Sequence, residues 1–320
     1  MIKFSIGIPA FKASYLEECI DSVLAQTYTN FELIVVNDAS PENIDDIVNQ
    51  YSDERISYYI NDKNTGAVNV VDNWNKCLSY ADGDYFVLMG DDDMMSPIYL
   101  EEFVKLIDKY PKLDVYHCRS YIIDEHSEIN LLTPSWSEKE SVLDNIWHRM
   151  NSLRVQFISD FIYDRKVLVE RGGFYKLPLA WLSDDISSYI AMADKGVAHV
   201  NTPIFNYRKS NITISSSGNP DLKIKAILAA EKWFKSFLEA RGGIDESDSI
   251  LLKAINLRLP KYINKQKLNV ITTSLTGKGL TFYSFWVKRH KEYNISKSLL
   301  FYSFIEYLKT KRLEKHENKK

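Results

Sequence analysis

Three short apolar runs, each stopped by turn-forming or acidic residues, constrain this chain more than any other feature. They are Lys3–Pro9 (KFSIGIP), Phe31–Val36 (FELIVV) and Tyr85–Met89 (YFVLM), and they read as buried strands. A further strand is predicted over Ile56–Ile60. Leu16, Ile20, Val23 and Leu24 recur at helical spacing behind Ser14-Tyr15-Leu16-Glu17, which matches a capping box, and Ala67–Ser79 reads as a second helix. Strands alternating with helices predict a doubly wound sheet, whose ligands sit beyond the carboxyl ends of the strands. Those ends carry Pro9-Ala10-Phe11, Asn37-Asp38 and Asp91-Asp92-Asp93. A sheet that cradles phosphate directly would place glycines and a helix N-terminus there. No GxGxxG is present, and Thr276-Gly277-Lys278 lacks the upstream glycine of a P-loop. Acidic strand exits imply that any phosphate is met through a cation.

The middle, about residues 114–215, alternates short apolar runs with polar turns and holds Trp181-Leu182-Ser183-Asp184-Asp185. Trp181 suits a stacked sugar ring or an ordinary core position. Beyond Pro220 the pattern turns helical through Ile224, Ile227, Leu228, Trp233, Phe234 and Phe237, with Arg241-Gly242-Gly243 as a stop. The net charge of −3 gives no general attraction to nucleic acid. Its distribution is uneven: from Val287 to Lys320 ten basic residues face four acidic ones. Together with the aromatics between Phe282 and Leu308, that tail suits contact of 280–320 with an anionic inner-leaflet surface, or packing on the catalytic part or a second copy in a homo-oligomer. Cys19, Cys77 and Cys118 form no paired framework and read as buried apolar residues. With no signal peptide and no apolar run of about 20 residues, a cytoplasmic protein is expected.

These residues, in this order, resemble the family-two glycosyltransferases with the GT-A fold. The likeness runs through Ser5–Lys12, through Leu16–Tyr28 with Phe31–Ser40, and through Asn64-Thr65-Gly66 and Asn73-Trp74-Asn75. It continues in Gly90-Asp91-Asp92-Asp93 with Pro97, Gly172-Gly173-Phe174, Ser183-Asp184-Asp185 and Tyr207-Arg208. It implies an α/β fold: a GT-A, Rossmann-like, doubly wound mixed sheet with helices on both faces, followed by a helical C-terminal region. The domains it implies are 1–215, with a nucleotide-binding half 1–97 and an acceptor-binding half 98–215, and then 216–320.

Moving a sugar from a nucleoside diphosphate requires stabilising the charge on the leaving diphosphate and removing a proton from the incoming hydroxyl. The resemblance assigns Asp92 to a divalent metal, Mn²⁺ or Mg²⁺, and Asp91 to the ribose. Gly90 stands where an aspartate is common, which leaves open a second register with Asp93 as the metal ligand. Asp38 is expected at the nucleotide base with Pro9, Ala10 and Phe11 beneath it, Asp185 as the catalytic base, and Arg208 at the diphosphate or the lid. The implied partners are a nucleotide-sugar donor, UDP-linked on family frequency, and a glycan or lipid-linked acceptor, with inversion at the anomeric carbon. Two rivals remain: a sugar nucleotidyltransferase, which would need a glycine-rich basic loop after the first strand, and a non-catalytic carbohydrate-binding or scaffold relative.

Overall fold

The computed structural model describes residues 1–209, 218–241 and 245–317. The chain divides into two compact units, Met1–Ser216 and Ser217–Lys320. The 215/216 boundary, Ser210, and the Gly242-Gly243 stop lie outside the described residues.

In the first unit the strand β1 (Phe4–Ala10) runs parallel to β2 (Phe31–Asn37) on one side and to β4 (Tyr85–Leu88) on the other, with β3 (Ile56–Ile60) parallel beyond β2. β1 is buried except at Pro9, which explains a sequence that is apolar but for Ser5. At its centre a Cβ on Gly7 would lie 2.8 Å from both the Cys77 Cβ and the Phe86 ring. The helix α3 (Val70–Tyr80), which carries Cys77, therefore approaches the strand at a distance only glycine permits. The sheet continues from β4 through an antiparallel β9 (Phe161–Asp164) to β6 (Val115–Ile123), β10 (Val197–Arg208) and the short β5 (Met94–Met95). Its order is β3-β2-β1-β4-β9-β6-β10-β5, with β7 (Ile129–Leu132) on β6 and β8 (Lys139–Glu140) on β10. The mixed α/β sheet expected from the sequence is thus present, followed by a helical region.

The helix α1 (Leu16–Leu24) ties the sheet to the acidic segment after β4. The capping box expected from Ser14 does not form: Tyr15 occupies the cap position, and no side chain caps the helix. Two of its side chains, Cys19 and Ser22, face the interior, while Glu17, Glu18 and Asp21 are exposed. Cys19 Sγ donates to the Gly90 carbonyl at 3.3 Å, and Ser22 Oγ accepts from the Met95 amide at 3.1 Å. Just past the helix, Gln26 donates to the Ser96 carbonyl at 2.7 Å and accepts from the Leu100 amide at 3.0 Å. Across the sheet, Asn75 pairs with both backbone groups of Phe174, donating at 3.1 Å and accepting at 2.8 Å. Two motifs about a hundred residues apart in sequence are joined there.

The second unit is helical: α8 (Pro220–Glu239), α9 (Glu246–Lys278), α10 (Tyr283–Arg289) and α11 (Lys297–Glu317). Asn219 caps α8, with Pro220 in the first turn, where its missing amide proton costs nothing. Ile224, Ile227, Phe234, Ile255, Ile271, Leu275 and Trp286 are buried, and the Trp286 indole donates to Ser274 Oγ at 2.9 Å. All three cysteines are free and buried. Among the described residues, no helix is long and apolar enough to cross a membrane.

Gln26 is 4% exposed and pairs with the backbone of Ser22, Ser96 and Leu100. Gln26→Ala should therefore lower stability by about 1–3 kcal/mol in urea titration, the cost of unpaired buried polar groups. An unchanged midpoint would show that the anchor is dispensable.

Candidate functional site

The exit of β4 carries three adjacent carboxylates, and each has a different fate. Asp91 Oδ2 accepts the backbone amides of Phe11 at 2.8 Å and Lys12 at 2.7 Å, so it fixes the loop that leaves β1. Burial pushes its carboxyl up to about 6, against the pull of Lys12 and the two amides. Asp93 is buried: Oδ1 accepts the Arg208 amide at 2.9 Å and Oδ2 the Ser159 hydroxyl at 3.1 Å. Burial raises its pKa well above the usual range, and Asp92 adds to the effect. Gly90 stays small for this reason, since a Cβ there would lie 2.7 Å from Asp93 Oδ2. Asp92 remains the most open of the three and accepts Lys12 Nζ at 2.6 Å through Oδ2. No hydrogen bond among the described residues reaches Asp91 Oδ1 or Asp92 Oδ1.

Arg208 was expected at the diphosphate or at the lid; its side chain is fully buried against the acidic motif. It donates to the Asp92 carbonyl at 2.8 Å, the Asp124 carbonyl and Ser127 Oγ at 3.0 Å, and Glu18 at 2.8 Å, and lies over the Tyr15 ring at 4.1 Å. With its donors so committed, Arg208 buttresses the motif from behind instead of presenting a charge to the cleft.

Asp185 lies in the first turn of α7 (Ser183–Met192) and is wholly buried. Its carboxylate accepts Arg149 Nε at 3.0 and 3.2 Å and Gln156 Nε2 at 2.8 Å. Asp184 beside it is only half-buried and forms no ion pair among the described residues. Burial, then repulsion from Asp185, pushes the Asp184 carboxyl up to about 7. The two acidic groups belong to one region. The segment that sends Gln156 to Asp185 also sends Ser159 to Asp93 three residues later, a span of at most about 11 Å. Within it, Phe157 stacks on Tyr207 at 3.6 Å, and the Tyr207 phenol is raised by burial and then by Asp93, Asp92, Asp184 and Asp160.

At the exit of β2, Asp38 is buried. Its Oδ1 accepts Asn61 Nδ2 at 2.8 Å and the Thr65 amide at 2.9 Å, and its Oδ2 accepts the Thr65 hydroxyl at 2.7 Å. This carboxylate shapes the loop before α3 and keeps one lone pair open. Pro9 and Ala10 close β1, and Phe11, 40% exposed, offers an apolar face at the sheet edge. Trp181 is half-buried just ahead of α7. Lys12, Arg149, Gln156, Ser159 and Asp160 had no role in the sequence reading. Only Lys12, within a quoted motif, carried any local signal.

The residues fit a divalent cation. Lys12 Nζ lies 2.6 Å from Asp92 and 4.0 Å from Asp91 Oδ1, so both carboxylates already converge on one positive charge. Among the described residues no group of three or more histidines, cysteines or acids is poised around a metal. Two oxygen donors suit a hard cation that takes its remaining ligands from phosphate and water.

Comparison with known proteins speaks to the family and the fold. Residues 5–172 match the profile of the family described as Glycosyl transferase family 2. Glycosyltransferase GlyA of Streptococcus pneumoniae is 25% identical over 93% of this chain and 41% of its own length. TuaG of Bacillus subtilis, whose name places it in teichuronic acid biosynthesis, is 26% identical over 72% of this chain and 85% of its own. The chain spans about two fifths of the length of the first curated relatives it matches. Among solved structures, S. aureus TarS 1–349 in complex with UDP-GlcNAc superposes with a TM-score of 0.69 at 16% identity, over 96% of this chain and 89% of that one. At that identity the likeness speaks for the fold.

The buried acids make stability depend on pH. Burial holds the Asp160 and Asp184 carboxyls near 7 and Asp91 near 6, above the unfolded value of about 3.9. The folded state thus binds more protons between about pH 4 and 7, and the stability these groups contribute is lost as pH rises through that window. In metal-free protein, Asp160→Asn should flatten the fall of Tm between about pH 5 and 7.5 in calorimetry. An unchanged slope would remove Asp160 from this account.

Proposed function

The chain belongs to glycosyl transferase family 2, and from that premise we propose that it transfers a sugar from a nucleotide-sugar donor to a glycan or lipid-linked hydroxyl, with inversion. The observation that carries this reading is the convergence of the β4 acidic motif and the α7 acid pair on one short segment, Gln156–Ser159. Membership of the family sets aside the nucleotidyltransferase, and the built acidic site weighs against a purely structural relative. UDP as the carrier is supported by the UDP-GlcNAc complex of TarS and by family frequency.

In this reading residues 1–97 hold the nucleotide and 98–215 the acceptor. Phe11 lies beneath the base, and Asp38 and the loop it shapes meet the nucleoside. Asp92 holds the divalent cation, with Asp91 beside it. Asp93 serves the motif from within, since its oxygens are taken by Arg208 and Ser159. The cation, when bound, neutralises the charge that builds on the leaving diphosphate. The acceptor oxygen bonds to the anomeric carbon, the bond to the diphosphate breaks with its electron pair going to the diphosphate oxygen, and the acceptor proton passes to a carboxylate. An α-linked donor then gives a β-linked product.

We assign that carboxylate to Asp185, as the resemblance implies, with Arg149 and Gln156 orienting it. A ligand-free geometry that closes over a base does not exclude it, because such contacts rearrange in the reacting complex. One observation favours a second reading: Asp184 is the more open acid and is held up to about 7, close to an ideal base. The name of TuaG and the resemblance together support a surface polysaccharide as the product class. Exposed Leu280, Val287, Phe301, Tyr302 and Leu308, among many lysines, support a cytoplasmic protein that meets its acceptor at an anionic membrane surface. Co-sedimentation with anionic vesicles tests that point, and failure to sediment would remove it.

Once a thermal-shift screen with Mn²⁺ has found the donor, Asp185→Asn should cut transfer by about a hundred- to ten-thousandfold while sparing nucleotide binding. Asp92→Ala should abolish Mn²⁺-dependent nucleotide binding. If Asp184→Asn collapses turnover and Asp185→Asn does not, the base is Asp184. Full activity in all three variants would end the proposal.

A further inference from the structure

Lys12 sits where the proposed function needs a cation. Its backbone amide is fixed to Asp91 at 2.7 Å, so the root of the side chain cannot drift. From that root the ammonium reaches across to Asp92 Oδ2 at 2.6 Å and faces Asp91 Oδ1 at 4.0 Å. Arg208, the other cation bonded to this motif, spends its charge on the far side, on Glu18 and on carbonyls. Lys12 is therefore the counter-charge on the open face of the acids. It is also the more exposed partner, its side chain 29% exposed against 14% for Asp92.

We propose that Lys12 is a built-in stand-in for the divalent cation, occupying the Asp92 carboxylate until donor and metal arrive together. The inference rests on the metal-assisted reading above and concerns how that site is regulated. An ammonium and a dication on one carboxylate repel across a few ångströms. When a divalent cation takes up Asp92, Lys12 must let go, and its tethered arm then needs another anion. The donor's diphosphate is the anion the same event supplies. Lys12 thus opposes metal binding to the empty protein and favours it once a diphosphate is present, so metal and nucleotide bind as a coupled pair. The acids also stay neutralised while the site waits.

The test is Mn²⁺ binding, followed by the loss of the free-ion electron paramagnetic resonance signal, with and without UDP. Lys12→Met and Lys12→Gln remove the charge at an accessible side chain, Lys12→Arg retains it, and thermal unfolding confirms folding. Without UDP, the two neutral variants should bind Mn²⁺ about tenfold more tightly than wild type, and UDP should tighten Mn²⁺ binding less in them than in wild type. The arginine variant should behave like wild type. If wild type binds Mn²⁺ with UDP but the neutral variants show the same affinities as wild type or weaker ones, Lys12 is no stand-in and the metal reading survives. If no protein binds Mn²⁺ even with UDP, both fall.

Discussion

Three carboxylates in a row at the end of a buried strand repel one another, and the structure around them is arranged to manage that repulsion. Asp91 is spent on the backbone of the loop leaving β1, and Asp93 on the Arg208 amide and Ser159. Asp92 is left with a movable ammonium. Because two of the acids bind backbone, one in the loop just after β1 and the other at the end of β10, the charges that threaten the edge also hold it together. Arg208 completes the arrangement from behind by gripping the Asp92 carbonyl.

The sheet was legible because its central strands are buried on both faces and therefore nearly unbroken in apolar sequence. Ile56–Ile60 emerged with the predicted bounds, and the runs around β1, β2 and β4 shifted by a residue or so. The start of α1 was misread, since Ser14 lies a residue too early to cap and local pattern cannot settle a helix entry to that precision. The Leu16–Tyr28 signature now has a physical reason: Cys19, Ser22 and Gln26 pair with backbone around the acidic motif.

The site was legible in its acids and not in its partners. Aspartates at strand exits stand out because acids rarely follow buried strands without purpose. Arg149, Gln156 and Ser159 carry no such mark, since their meaning comes from contacts across tens of residues. Arg208 shows the converse case. A basic residue beside an anionic site suggested an open charge, yet its long arm can equally be buried and satisfied by carbonyls. Under the proposed assignment of Asp185 as the base, its burial and its pairing with Arg149 require that region to rearrange when substrate enters.

The central claim is that Asp92, the most open of the three acids, holds the cation in a motif whose third acid is structural. Crystals of the protein grown with Mn²⁺ and UDP, measured at the manganese absorption edge, test it most directly. The account predicts a single anomalous peak at coordination distance from an Asp92 carboxylate oxygen and from the diphosphate, with Asp93 still bonded to the Arg208 amide. A peak held by Asp93 instead, or UDP bound with no peak near the motif, would contradict it.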